Sequence, residues 1–153
     1  MAKNVGMSMN DQGVKAKLFR IGEKVENGSL RVMRKNADEV LKLAKMNVPV
    51  EDFHVEDSIV LTEERSGQNR RIEITIGVDA AILRRVSDQE FDYSVWLHEG
   101  QYNLGELSEL KNEISRSDDP RARVGNKYLE RAIDAVRNSA IREIKKEVKK
   151  DIR

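Results

Sequence analysis

The residues of this chain whose types and spacing best fit chemistry are the adjacent His98 and Glu99, in the stretch 92–100. An imidazole beside a carboxylate can transfer protons in general acid–base catalysis. The only other histidine, His54, lies too far along the chain to form a local metal motif with His98. Because no third catalytic group accompanies the pair, we interpret His98 as a histidine at the rim of an apolar patch, hydrogen-bonded locally.

Other catalytic signatures are absent from the sequence. It contains no HExxH metal motif, no GxSxG nucleophile turn and no glycine-rich phosphate loop. The carboxylate pairs Glu63-Glu64 and Asp118-Asp119 lie in polar, turn-like sequence, where solvated loop charges are the ordinary explanation. The absence of cysteine excludes disulfides and thiolate metal sites. We therefore predict that the protein is not an enzyme and holds no cofactor or metal.

The composition predicts one domain with a modest core. The 153 residues suffice for one domain of ordinary size, and 36% are charged against 39% hydrophobic. The net charge of +1 gives no overall attraction to nucleic acid or membranes. No apolar run approaches the roughly 20 residues that span a bilayer, so we expect no membrane partner. We predict a flexible arm over residues 1–13 and a single α+β domain over 14–153.

Two long helices frame the predicted domain. Apolar residues recur at helical spacing from Val14 to Met46, and again over 128–152. The triplet Asn27-Gly28-Ser29 has weak helical propensity, and we favour a continuous or slightly kinked helix through it. Pro49 ends the first helix, because the residue before a proline is pushed out of the helical region.

A small antiparallel β-sheet is predicted between the helices, with the C-terminal helix packed on it. Residues 71–78 alternate strictly between apolar and polar, and 58–61 are typical of extended chain. A polar turn over 63–69 would join the two as a hairpin. Residues 79–89 fit either a short helix or a further strand, and the same ambiguity holds for 93–99.

Residues 101–123 are polar and predict a long surface excursion, with a short helical turn around Leu107 and Leu110. The aromatic stretch before it holds the only tryptophan. We expect Tyr93, Trp96 and Leu97 to pack between the two long helices. Glu99 and Gly100 would then begin the excursion, at the point where the chain leaves the core.

Basic residues are concentrated at Arg70-Arg71 and in the last turns of the final helix, where Lys145 and Lys149 lie. Cations at a helix C-terminus suit the helix dipole, and interleaved acidic residues favour a solvated face. One alternative is a small DNA-binding regulator whose basic C-terminal helix contacts phosphates. Another is the lining of a channel, in which mixed charge lets DNA pass without gripping it.

Three separated segments carry short motifs. The first is 49–59, which begins Pro49-Val50 and ends Ser58-Ile59. The second is 93–100, and the third is 124–133. Their key residues are Tyr93, His98, Glu99, Gly100, Gly125, Tyr128, Leu129 and Ala132.

In order and rough spacing, these segments resemble the small tail-component family of tailed bacteriophages, also called the neck or tail-completion family. That family carries Pro-Val-x-x-Gly-x-Leu-x-x-Ser-Ile after a long helix, then Tyr-Ala-x-x-Val-(His)-Glu-Gly, then a glycine and an aromatic-Leu-x-x-Ala. The resemblance covers about residues 15–145. It departs at Phe53, where the family has glycine, and at Val55, where it has leucine, so the family's tight turn is not supported there.

The resemblance implies a structural virion protein that forms a ring at the head–tail junction, as a neck, tail-completion or tail-terminator component. Its implied partners are other copies in a hexameric ring, the head-closure or connector proteins, and the tail-tube or tail-terminator proteins. Genome DNA would pass through the ring without sequence-specific binding. The protein would reside in the virion after assembly in the host bacterial cytoplasm.

The residues assigned to assembly and packing are Tyr93, Trp96, Leu97, Glu99, Gly100, Gly125, Tyr128 and Leu129. Those assigned to a channel or DNA-facing surface are Arg70, Arg71, Lys145 and Lys149.

Overall fold

The computed structural model describes residues 11–50, 54–66, 71–86 and 93–152. The elements in these ranges are α1 (Asp11–Asn47), α2 (His54–Ser58), β1 (Ile59–Ser66), β2 (Arg71–Val78), α3 (Ala80–Val86), α4 (Tyr93–Glu99), α5 (Glu106–Asp118) and α6 (Tyr128–Ile152). The predicted α+β class, with two long helices and a small antiparallel sheet, is confirmed. The sheet lies against α1. Helix α6, predicted to pack on the sheet, packs instead along α1, in the antiparallel sense.

Helix α1 runs without a break through the weak segment at Gly28. The reason is packing, because Gly28 is buried and the side chains of Glu147 and Asp151 of α6 lie directly against it. Arg31 also forms an ion pair with Glu147. Tertiary contact with α6 therefore offsets the low helical propensity of glycine at this position.

The core lies where the C-terminal half of α1 meets the first turns of α6. Its side chains from the two helices include Leu43, Ala44, Tyr128, Ala132 and Val136, all buried. Small residues on both helices allow the backbones to approach closely, and the large rings and aliphatic chains fill the remaining space.

The hairpin is antiparallel, with Ile59 opposite Val78 and Ser66 opposite Arg71. The predicted turn over 63–69 was too long, because β1 continues to Ser66 in register with β2. An ion pair explains this extension: Glu63 of β1 accepts two hydrogen bonds from Arg34 of α1, at 2.7 and 2.8 Å. The guanidinium groups of Arg34 and Arg65 lower the pKa of Glu63 to about 2.

Two segments near the hairpin are helical. Ser58, predicted as the start of an extended run, instead ends the single turn α2, in which the Ser58 hydroxyl donates to the Val55 carbonyl at 2.7 Å. The described part of the ambiguous segment 79–89 forms α3, since Asp79 accepts hydrogen bonds from the backbone N–H groups of Ala81 and Ile82 and so caps the helix.

The predicted excursion over 101–123 contains a thirteen-residue helix, α5, that packs on the C-terminal end of α1. Its contact face is polar. Ser108 both donates to the Val50 carbonyl and accepts from the Val50 N–H, at 3.1 and 2.9 Å. Lys111 binds the Lys45 carbonyl at 2.9 Å and Glu56 at 2.5 Å. The polar residues of this segment predicted a loop, but Ser108 and Lys111 are used for a buried contact between α5 and the end of α1.

The last carbonyl groups of α1 all have partners. The Ala44 carbonyl accepts from Val48 N–H, and the Lys45 carbonyl accepts from Lys111. Ser115 donates to the Met46 carbonyl at 3.4 Å. The Asn47 carbonyl accepts from Gly125 N–H at 2.9 Å. Since such groups have no partner within a helix, these contacts fix α5 and the start of α6 against the end of α1.

Several predictions fall outside the described residues. These are the arm over residues 1–10, Phe53, residues 67–69 of the predicted turn, Arg70, and the side chains of Arg71 and Tyr93. The arm was predicted to reach Gly13, whereas α1 already begins at Asp11.

Asn47 makes the most connections at the end of α1. Its side chain is 1% exposed; the Oδ1 atom accepts from Arg123 N–H at 2.7 Å, and the Nδ2 atom donates to the Tyr128 carbonyl at 3.4 Å. Asn47→Ala removes both bonds, and we expect it to lower the free energy of unfolding by about 1–3 kcal/mol. Urea unfolding followed by circular dichroism measures this loss.

Asn138→Ala, an exposed position on α6, serves as the matched control and should change stability by less than about 0.5 kcal/mol. Equal unfolding midpoints for the two variants would show that Asn47 does not anchor the fold.

Candidate assembly surfaces

The three motif segments meet at one place, around the end of α1. Gly125 N–H donates to the Asn47 carbonyl at 2.9 Å, which brings the third segment next to the residues that precede the first. The second and third segments are joined directly. Lys127 N–H donates to the His98 carbonyl at 2.7 Å, and the Asn126 amide donates to the Gly100 carbonyl at 3.2 Å. Segments far apart in sequence thus form one continuous unit.

Leu97 and Tyr128 form the buried centre of this junction. Leu97 is 2% exposed and Tyr128 1%. The Tyr128 hydroxyl donates to the Ser94 carbonyl at 3.3 Å, and its ring meets the His98 ring edge-on at 5.0 Å between centroids. Leu129, beside Tyr128, is half-buried against the core. These side chains hold α4 against α6.

Trp96 is not a core residue, contrary to the expectation that it packs between the long helices. It is 40% exposed and stacks on Tyr102 at 5.1 Å between ring centroids. The Tyr102 hydroxyl donates to the Leu97 carbonyl at 2.6 Å, which fixes the stacked pair on the outside of α4. The reason is the helical geometry: Leu97 faces the core, and the adjacent Trp96 and Val95 are turned away from it.

His98 and Glu99 are hydrogen-bonded to each other, Nδ1 to Oε1, at 2.8 Å. They border an open cavity of about 330 Å³ whose lining includes Leu83, Ser94 and Leu129. The local hydrogen bond matches the interpretation of His98 given above. Within the described ranges, no three histidine, aspartate or glutamate side chains are grouped as ligands for a metal ion.

Two glycines shape the junction by different means. Gly100 N–H donates to the Trp96 carbonyl at 2.7 Å, and a side chain at Gly100 would approach that oxygen to 2.5 Å. Gly125 has φ of +140°, which L-residues with a side chain rarely adopt. Both positions therefore require glycine for the path into and out of the segment that carries α5.

An apolar groove runs between α1, β2 and α6. Its cavity of about 470 Å³ is lined by Met33, Ala37, Val40, Ile74, Ile76, Ile133, Val136, Ala140, Ile141 and Ile144, with Asn36 and Arg137 at its edges. Ile133 and Ile141 remain exposed on its α6 side. This groove explains why the apolar face of β2 is only half-buried, and it offers an apolar contact surface.

The C-terminal turns of α6 carry a cluster of cations. Lys145 and Lys149 are exposed and, with Arg142, Lys146 and Lys150, surround a shallow depression. Glu147 lies within the cluster and pairs with both Arg31 and Lys150. The other two predicted DNA-facing residues are not placed by the structure, because Arg70 and the Arg71 side chain lie outside its described part.

Helix α5 carries a further apolar surface, which was not predicted from the sequence. Leu107, Leu110 and Ile114 are 60%, 54% and 57% exposed. Their spacing places them on one face of the helix, turned away from the polar face that contacts α1. The signal was present in the sequence as i, i+3, i+7 spacing, but the surrounding polar residues favoured a loop.

Among the described helices, none has the length and apolar character needed to cross a membrane. Comparisons of the chain with protein-family models, with curated proteins and with solved structures find no match.

Because Leu97 is buried and Trp96 is exposed, we expect alanine substitutions at these adjacent positions to reduce stability by different amounts. Leu97→Ala should lower the free energy of unfolding by about 2–5 kcal/mol, because it leaves a cavity in the core. Trp96→Ala should cost only about 1 kcal/mol, the order of an aromatic pair beside solvent. Chemical unfolding of the two variants separates them, and equal losses would contradict the exposed position of Trp96.

Proposed function

We propose that this chain is a structural virion protein of a tailed bacteriophage, and that it forms a ring at the head–tail junction. The observation that carries the proposal is the ordered set of three motifs that resembles the tail-component family. In the structure, the three motifs lie together at the end of α1.

The exposed apolar surfaces also support an assembly role. The groove, the Trp96–Tyr102 pair and the outer face of α5 each expose large apolar side chains on one chain. Such patches are characteristic of protein–protein contacts. A ring requires that one patch meet a different patch on the next copy, and this chain offers several. We propose a hexamer whose further partners are a head-closure or connector protein and a tail-tube or tail-terminator protein.

The near balance of charge suits a ring around DNA. With 28 basic and 27 acidic residues, the chain has no strong overall attraction to phosphate. Exposed lysines such as Lys145 and Lys149 are interleaved with acidic residues on α6. A channel surface of this kind would let the genome pass without holding it.

A phage genome that lacks the gene for this chain tests the proposal. Filled heads and separate tails should accumulate, since the joining ring would be missing, and supplying the intact chain from a plasmid should restore joined, infectious particles. Electron microscopy and plaque counts record both results. Joined particles at normal yield without the chain would contradict the proposed function.

A small DNA-binding regulator is the second candidate, and the lysine cluster on α6 is the observation that favours it. The regulator would bind short duplex DNA tightly and with a steep dependence on salt. A ring protein should show no saturable binding at about 150 mM salt, where contacts with phosphate are weakened. Fluorescence anisotropy of a labelled duplex distinguishes the two.

The matched variants for that measurement are Lys145→Gln with Lys149→Gln, and Lys42→Gln with Lys127→Gln, two exposed lysines outside the cluster. Tight binding that only the first pair abolishes would favour the regulator.

A further inference from the structure

Helix α1 extends well beyond the end of α6. Asp151, in the last turn of α6, lies beside Gly28, and the ion pairs of α6 with α1 involve Arg31 and Lys35. At 1.5 Å per residue, Val14 lies about 20 Å farther along the axis of α1. Residues 13–20 are exposed throughout. We call residues 13–25 the overhang.

The overhang repeats the pattern of a buried helix face. Val14, Leu18, Ile21 and Val25 are spaced i, i+4, i+7, i+11 and form a single stripe. Extended along α1, this stripe reaches Gly28, which is in close contact with α6. The apolar face of α1 that contacts α6 therefore continues into the overhang, where α6 does not cover it. Leu18 is 63% exposed as a result.

The overhang and α5 are complementary in charge. Lys17 and Lys24 lie along one edge of the overhang stripe, and the overhang has four basic residues against one acidic residue, Glu23. On α5, Glu106 and Glu113 lie along the solvent edge of the stripe formed by Leu107, Leu110 and Ile114. Each surface is thus an apolar row with a charged edge, and the two edges have opposite sign.

These two surfaces cannot meet within one chain. Helix α5 is bonded to Lys45 and Met46 at the C-terminal end of α1. Leu18 lies about 40 Å away along the same helix. A contact between the overhang and α5 must therefore join two molecules, and it joins different surfaces of each. Such a heterologous contact produces a closed ring or an open filament.

We propose that the overhang of one copy packs on the outer face of α5 in the next copy. The inference rests on the proposed ring and identifies the contact that builds it. Leu18 of one copy lies against Leu110 of its neighbour, while Lys17 and Lys24 face Glu106 and Glu113. Nucleic acid would satisfy the lysines of the overhang but would leave its apolar stripe uncovered, whereas a second copy covers both.

Disulfide trapping tests this contact, since the chain contains no cysteine. Leu18→Cys and Leu110→Cys are made in separate chains, mixed at high concentration and oxidised. A disulfide requires Cα atoms within about 7 Å, so the mixture should yield a mixed dimer. A chain with both substitutions should yield a ladder of covalent oligomers, because it cannot close a bond within itself.

Glu23→Cys mixed with Leu110→Cys is the matched control, since Glu23 is exposed on the opposite side of the overhang. Mixed dimers no more abundant than in this control would overturn the proposal. So would a product dominated by Leu18→Cys joined to itself, which would mean that overhangs pair with each other.

A charge exchange provides the second arm. Lys17→Glu with Lys24→Glu should slow formation of the mixed disulfide by about tenfold at low salt, through repulsion between like charges. Glu106→Lys with Glu113→Lys in the partner chain should restore the rate. Slowing without restoration would contradict the assigned pairing of Lys17 and Lys24 with Glu106 and Glu113.

The outcomes separate this contact from the proposed function. Rings seen by electron microscopy without the Leu18–Leu110 disulfide would leave the ring in place and overturn the contact. A strong disulfide in a chain that particles do not require for joining would support the contact and overturn the head–tail role.

Discussion

The carbonyl groups at the C-terminal end of α1 have no partners within the helix, and the chain supplies these partners from distant segments. Lys111 and Ser115 of α5 and the N–H of Gly125 bind three of them. Because an unpaired buried carbonyl is costly, this requirement fixes the position of α5 and the entry into α6 together. The buried amide of Asn47 extends the same network to the residues that begin α6. The packing of α6 along α1, and with it the core, follows from this anchored end.

The long helices and the hairpin could be predicted because their patterns are repeated over many residues. Helix α1 continues through Gly28 because Gly28 is in close contact with α6. This contact is between distant parts of the chain and could not be predicted from local sequence. The prediction of a surface loop over 101–123 was wrong because some of its polar side chains make buried hydrogen bonds. Ser108 and Lys111 bind backbone groups of the neighbouring segment, so α5 has its polar face inside and its leucines outside. The prediction that Trp96 is buried was also wrong. Its residue type favoured burial, but in α4 Leu97 faces the core and Trp96 faces solvent.

The two ends of α1 differ in their packing and in the surfaces that they present. The end of α1 that binds α5 and α6 is rigidly connected, and it presents an acidic edge beside exposed leucines on α5. The opposite end of α1 is a single helix with basic residues beside an apolar stripe. An isolated helix of this length gains little stability from propensity alone, so a partner would stabilise it. A molecule with complementary ends is suited to head-to-tail association.

The central claim is that the C-terminal end of α1 is anchored within the chain, whereas its N-terminal end is stabilised by contact with a second copy. Hydrogen exchange along α1 tests this claim most directly. In the isolated chain, amides of residues 14–25 should exchange far faster than those of residues 36–47, which lie between α6 and the bound carbonyls. In assembled particles, the amides of residues 14–25 should become protected. Equal protection of both ends in the isolated chain, or unchanged exchange of residues 14–25 after assembly, would contradict it.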